Sequence, residues 1–199
     1  MINFARRAIR TVSIACALVA PALIAPIVSD AQANVVNLNT CSLSALSQPF
    51  APWLDFANYE LAPGGAFENP RWTLTGGAKL VAGSEPYAAT GTMGASSLSL
   101  PAGSSARSPL ACVDAAHPSI RFFIAGTGTV EVTVVDGSLA IPAGVALADG
   151  EWSPTPVMLT SAAVLGALSG GTAQVSVTVT ALSGTPRIDD VFIDPWARG

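Results

Sequence analysis

The sequence predicts an all-β fold, an antiparallel β-sandwich preceded by an irregular N-terminal segment. Three observations lead there. From Phe67 onward the chain is a series of short alternating or β-branched runs, turn residues separate these runs at regular intervals, and no long stretch repeats with a helical period. Half of the 199 residues are hydrophobic and only 11% are charged, which excludes a disordered chain and leaves enough apolar material for one core.

Residues 1–33 read as a signal peptide. Arg6, Arg7 and Arg10 precede an apolar run from Thr11 to Val28, and Ala31-Gln32-Ala33 forms a small-residue cleavage site. Pro21 and Pro26 interrupt the run, so it is too short to span a membrane, and no span is expected in the mature chain. The predicted destination is secretion, outside the cell or at its surface. Cleavage would remove Cys16 and leave Cys41 and Cys112, an even pair in an oxidising compartment. They are expected to form one disulfide, worth about 4 kcal/mol on the chain-entropy model. Two metal-binding thiols would need further ligands that the spacing does not supply. Cleavage also takes the formal charge from −4 to −6 by removing three arginines and Asp30. With no basic cluster, nucleic acid is excluded as a partner.

Residues 34–65 carry Pro49, Pro52, Pro63 and Gly64-Gly65 with little periodicity, and read as a segment packed on the domain. Phe50, Trp53, Phe56 and Tyr59 recur every third residue, but Pro52 limits any helix there to one short turn. Residues 66–199 form the sandwich. Candidate strands are 71–75, 78–82, 96–100, 119–125, 129–135, 138–141, 155–160, 173–181 and 187–193. The clearest is Val175-Ser-Val177-Thr-Val179-Thr180, with valines on a buried face and hydroxyls on a solvent face. Asp136-Gly137 is a hairpin signal, because both residues accept positive φ. Ala162 to Leu168 is the one stretch that could form a helical turn.

No motif supports catalysis, so the protein is not expected to be an enzyme. His117 is the single histidine and stands before Pro118 at a strand entry, where a capping or solvent-facing role is expected. No nucleophile elbow, phosphate loop or zinc-holding histidine pair occurs, and no two acids can be singled out as a glycosidase pair. Two acidic elements stand apart: Glu68, expected at the start of the first strand, and Asp189-Asp190, which interrupts the last. If first and last strands pair, Glu68, Asp189 and Asp190 could offer hard oxygen ligands to calcium. Salt bridges to Arg187 or Arg71 are the alternative.

Gly65-Ala-Phe67-Glu68-Asn-Pro-Arg-Trp72 at one end and Ile188-Asp-Asp190-Val-Phe-Ile193 at the other resemble the opening and closing strands of carbohydrate-binding modules with the galactose-binding-domain-like jelly-roll fold. A wider pattern, including Trp72-Thr-Leu-Thr-Gly-Gly77 and Ser108-Pro-Leu-Ala-Cys112, is similar to a group of secreted bacterial proteins of unknown function. The first resemblance implies two facing sheets, a structural calcium near Glu68 and Asp190, and aromatic residues that stack on sugar rings. Tyr87 in Ser84-Glu-Pro-Tyr87 and Trp152 in Gly150-Glu-Trp152-Ser-Pro154 lie at turns and are the expected ligand-binding pair. Trp72 alternates with Leu74 and is expected in the core, and Trp196 at the sandwich edge. The expected function is thus a secreted, non-catalytic domain that binds carbohydrate. The alternative is a structural or protein-interaction domain that contacts another surface protein through its hydroxyl-rich strands.

Overall fold

The computed structural model describes residues 45–69, 71–113, 117, 119–160 and 173–194, all within one compact unit, Val36–Gly199. The expected signal peptide, Cys41, the Ala162 to Leu168 turn and Trp196 lie outside the described residues.

Among the described residues, eleven antiparallel strands form a β-sandwich: β1 (Leu46–Ser47), β2 (Tyr59–Leu61), β3 (Thr73–Thr75), β4 (Lys79–Ala82), β5 (Ser96–Ser99), β6 (Ser105–Arg107), β7 (Ala111–Val113), β8 (Ser119–Asp136), β9 (Leu139–Pro154), β10 (Met158–Leu159) and β11 (Ala173–Asp194). β11 pairs with β8 along one edge. Its other edge takes β7 and β6 beside Ala173–Thr180, then β5 and β2 beside Arg187–Ile193. β3 extends the sheet from β6, β4 from β5 and β1 from β2, while β9 and β10 line the far edge of β8.

Two long strands, β8 and β11, replace the pairs of short ones expected from the sequence, because each turns from one layer into the other without breaking its ladder. Gly144 pairs with Val132, and Met158 with Ile120, twelve positions away on β8 and about 40 Å distant were the strand straight. Yet a Cβ on Gly144 would run into the Met158 side chain, so the two halves of β8 lie face to face. The turn falls at Gly126, Gly128 and Gly184, all with positive φ, beside register shifts at Ile124/Gly126 and Ala181/Ser183. At Gly128 and Gly184 a Cβ would sit about 2 Å from a carbonyl oxygen of the facing strand, which excludes any other residue.

Val130, Val132 and Val134 of β8 and Val175, Val177 and Val179 of β11 supply one half of the main core. Leu98, Leu100, Ile120, Phe122, Ile124, Ile188, Val191 and Ile193 supply much of the rest, joined by Phe67 and the buried Trp72, as expected. The period-two reading of β11 is correct for the valines but not for all the hydroxyls. Ser176 is buried, and its Oγ accepts a hydrogen bond from Arg107 Nε at 2.7 Å.

A second, smaller core of Phe50, Tyr59, Phe123 and Phe192 covers the outer face of one layer. Phe123 alternates with the inward Phe122 and Ile124, and Phe192 with Val191 and Ile193, so both rings face away from the main core. The N-terminal segment closes over them. It is more regular than its composition suggests, containing β1, β2 and a single 3-10 turn at Ala51–Trp53 that starts beside Pro52. Phe50, Trp53 and Tyr59 pack, whereas Phe56 is exposed, so the three-residue spacing is not one buried helical face.

Candidate functional site

The segment is held down by a polar latch. Asp55 Oδ2 accepts from Tyr59 Oη at 2.7 Å and from Arg121 Nη1 at 2.5 Å, and Oδ1 accepts from the Ala57 N–H at 3.1 Å. Arg121 also donates to the Thr155 carbonyl at 2.9 Å, and its guanidinium lies 4.3 Å from the Phe50 ring centre. Burial alone would raise the Asp55 pKa. The Tyr59, Ala57 and Arg121 bonds outweigh it and hold the carboxyl below its ordinary value. Burial, and then the Asp55 carboxylate, push the Tyr59 phenol up.

On the same outer face, three carboxylates help to fasten the loop joining β4 to β5. Asp189 stands opposite Phe123 across the β11–β8 ladder and accepts from Ser84 Oγ at 2.7 Å and the Glu85 N–H at 3.0 Å. Glu85 is fully buried and caps the loop, accepting the Tyr87 N–H and, at 2.8 Å, the Ala89 N–H. Glu68 Oε1 accepts the Ala95 and Ser96 N–H groups at 2.7 and 2.9 Å. Asp190 completes the cluster from a β-bulge, its backbone left-handed at φ 46°. Burial raises Asp189 to about 6, held back by its Ser84 and Glu85 bonds. Burial, with the charges of Asp189 and Glu85 next, raises Asp190 to about 8. The neighbouring Glu85 carboxyl and, last, the charge of Glu68 add to the rise at Asp190.

Asp189, Asp190 and Glu68 are therefore brought into one neighbourhood, and Glu85, which the sequence reading missed, stands at its centre. Among the described residues no three His, Cys, Asp or Glu side chains converge as a ready metal set. Glu68 lies in a bend outside any strand and spends one oxygen on two N–H groups. Arg187 is not the partner of these acids; it donates to the Ala82 and Gly83 carbonyls and to Ser97 Oγ.

Tyr87, in the loop between β4 and β5, and Trp152, which lies within β9 and not at the turn expected, are brought together from far apart in the chain. Tyr87 Oη donates to the Trp152 carbonyl, and Tyr87 is 44% exposed. Trp53, which the sequence reading assigned to packing, is the third ring: it meets Tyr87 edge to face with centroids 4.7 Å apart, and both lean on Phe123 at 5.4 Å. Arg187 lies over the Trp152 ring, 5.5 Å from its centre. A separate hollow of about 400 Å³, lined by Leu46, Leu61, Pro63, Thr90 and Phe192 among others, holds none of the expected site residues. His117 is buried rather than solvent-facing, with its carbonyl accepting from Thr160 Oγ1. Cys112 lies half-buried on β7; its expected partner is outside the described residues. The described residues include no helix long and apolar enough to cross a membrane.

No protein-family model and no curated protein matches the chain. Solved structures with a similar outline include several carbohydrate-binding modules. The C-terminal family 6 module of a marine laminarinase from Zobellia galactanivorans is 12% identical, covering 65% of this chain and 95% of its own, with TM-score 0.46. A family 11 module of a cellulosomal cellulase from Clostridium thermocellum is 12% identical over 70% and 95%, with TM-score 0.45. A family 61 module in complex with β-1,4-galactotriose is 19% identical over 66% and 95%, with TM-score 0.40. At such identities and TM-scores the likeness is one of outline and says nothing of a ligand.

Proposed function

We propose that this chain is a secreted, non-catalytic domain that binds carbohydrate at the ring cluster of Tyr87, Trp152 and Trp53. The observation that carries this reading is the Tyr87 hydroxyl bonded to the Trp152 carbonyl, which joins a loop tyrosine at the surface, resting on the buried Phe123 ring, to the half-buried tryptophan of β9. An exposed ring on a fixed base loses little freedom on stacking against a pyranose. Glu85 and Asp189 support the site by fixing the loop that carries Tyr87. The test is a glycan and polysaccharide binding screen in calcium-containing buffer, with Tyr87→Ala and Trp152→Ala beside the parent. Selective binding lost in either variant supports the reading, and no binding across the panel rejects it.

Calcium is the cation we propose for Glu68, Asp189 and Asp190, with Glu85 beside them, where it would offset the charge of carboxyls that burial and one another's charge disfavour. Binding would require at least one of these oxygens to exchange an N–H donor for the ion. Thermal unfolding unchanged by chelator, by calcium and by Asp190→Asn would remove calcium from the account. Secretion would further bring the Cys41–Cys112 disulfide; free thiols in non-reduced peptides of the exported protein would eliminate it.

A protein-interaction role has its own supporting observation. Val145 and Leu147 on β9 are 55% and 66% exposed, on a strand paired only with β8 among the described residues. A glycan-negative protein whose binding to a surface protein is lost in Leu147→Asp would favour this reading.

A further inference from the structure

The rings lie on the outer face of the layer that holds Phe123 and Phe192. The outer face of the other layer is formed by β3, β6, β11, β8 and β9 lying side by side. Two rows of side chains cross it. One runs Thr73, Arg107, Thr178, Thr133 and Pro142, and the next runs Thr75, Ser105, Thr180, Glu131 and Val145. Ala106, Val132 and Val179, which alternate with them, point into the main core, so both rows face outward. Hydroxyls dominate the rows, and Thr75 and Ser105 bond to each other at 2.8 Å. The rows hold one cation and one anion, placed diagonally about Thr178 and Thr180.

These two charges do not answer each other within one copy. Their Cα atoms stand about 12 Å apart on ladder spacings. Arg107 Nε donates to Ser176 Oγ at 2.7 Å, and Ser176 lies beyond Thr178 on the side away from Glu131. Arg107 is exposed, and among the described residues its terminal nitrogens have no partner. Glu131 likewise has neither a hydrogen bond nor an ion pair to a described residue.

We infer that this face docks a second copy of the chain, sheet on sheet about a two-fold axis, with Arg107 of each copy against Glu131 of the other. An axis lying in the interface, at right angles to the line from Arg107 to Glu131, carries each residue onto the other's place, so the same pair forms twice. Charge favours a copy of this chain as the occupant. The formal charge of −4 opposes self-association over the surface as a whole, whereas on the two rows the charges cancel. Threonine methyl groups and Val145, 55% exposed opposite Glu131, supply apolar contact between the two pairs. The inference is independent of the carbohydrate reading, because the ring cluster lies on the other layer. Two copies joined in this way would carry their Tyr87 rings on opposite outer sides, placed to bridge two ligands.

The test is sedimentation equilibrium of the purified protein at low and high salt, with circular dichroism as a check of folding. It compares the parent, Arg107→Glu, Glu131→Arg and an equimolar mixture of these two variants. The parent should be dimeric at roughly 100 µM in low salt and dissociate as salt screens the pairs. Each reversal brings two like-charge pairs together and should raise the dimer Kd about a hundredfold. The mixture should recover the dimer, because every reversed charge then meets an opposite one. Glu131→Arg gives up no hydrogen bond, so it serves even if Arg107→Glu disturbs the fold through Ser176. A monomeric parent, a dimer that neither reversal weakens, or a mixture no more associated than its separate components would overturn the inference. Each of these results leaves the carbohydrate reading to be decided by the ring variants.

Discussion

The latch of Asp55, Arg121 and Tyr59 and the cluster of Glu85, Asp189 and Asp190 fasten two loops over the same outer face of the sheet, by opposite electrostatics. In the latch an arginine answers the carboxylate, and Asp55 is held below its ordinary pKa. In the cluster burial and like charge push Asp189 and Asp190 up. The first fastening is strongest when its acid is ionised, the second when a proton or cation is present. The two loops that build the ring cluster therefore respond in opposite directions to pH.

The comparison breaks most sharply at Arg121. Arg121→Leu leaves Asp55 without its cation and the Thr155 carbonyl without its donor, and should cost about 3 kcal/mol, a figure reduced for the partial exposure of Asp55. Urea unfolding measures it; a loss under about 1 kcal/mol would make the latch incidental.

The cluster should show a slope in pH. A raised folded pKa contributes stability that is complete below the ordinary carboxylate range and is lost as pH rises through the folded value. In chelator, stability should thus fall by several kcal/mol between pH 4 and 8, through the values of about 6 for Asp189 and 8 for Asp190. Added calcium should flatten the slope. Asp55 acts the other way, its contribution present at neutral pH and lost only as pH falls through its depressed value. A curve flat from pH 5 to 8 in chelator would contradict the cluster account.

Asp190→Asn removes one of the like charges and keeps a residue suited to left-handed backbone. It should stabilise the chelated protein by about 1 kcal/mol at pH 8, read as a higher Tm, and do little at pH 4. The smallest effect is expected from Tyr87→Phe, which loses one partly exposed hydrogen bond to the Trp152 carbonyl, about 0.5 kcal/mol.

The sandwich was legible where one face of a strand is buried, as at Val175 to Val179 and Val130 to Val134. Alternation there is dictated by the core itself. β6 and β7 were missed because three residues cannot display a period, and only the start of β9 was read, because Pro142 and Gly144 interrupt its apolar run. The long strands were read as pairs because Gly126, Gly128 and Gly184 look like turns when they are bends inside one ladder. Tyr87 and Trp152 could each be chosen from the turn residues around them, but nothing local links them. Glu85 looks like any loop acid until the fold sets it against Asp189 and Asp190, about a hundred positions away. Trp53 was assigned to packing, and it packs edge to face on both Tyr87 and Phe123.

The most direct test of the account is the ultraviolet difference spectrum of the protein on addition of neutral oligosaccharides, for the parent and for the Tyr87→Ala/Trp152→Ala double variant. The account predicts a saturable tyrosine and tryptophan perturbation in the parent with at least one such glycan, absent in the double variant. No perturbation with any neutral glycan, or the same perturbation in both proteins, would show that these rings only pack the outer face and that the ligand site is not there.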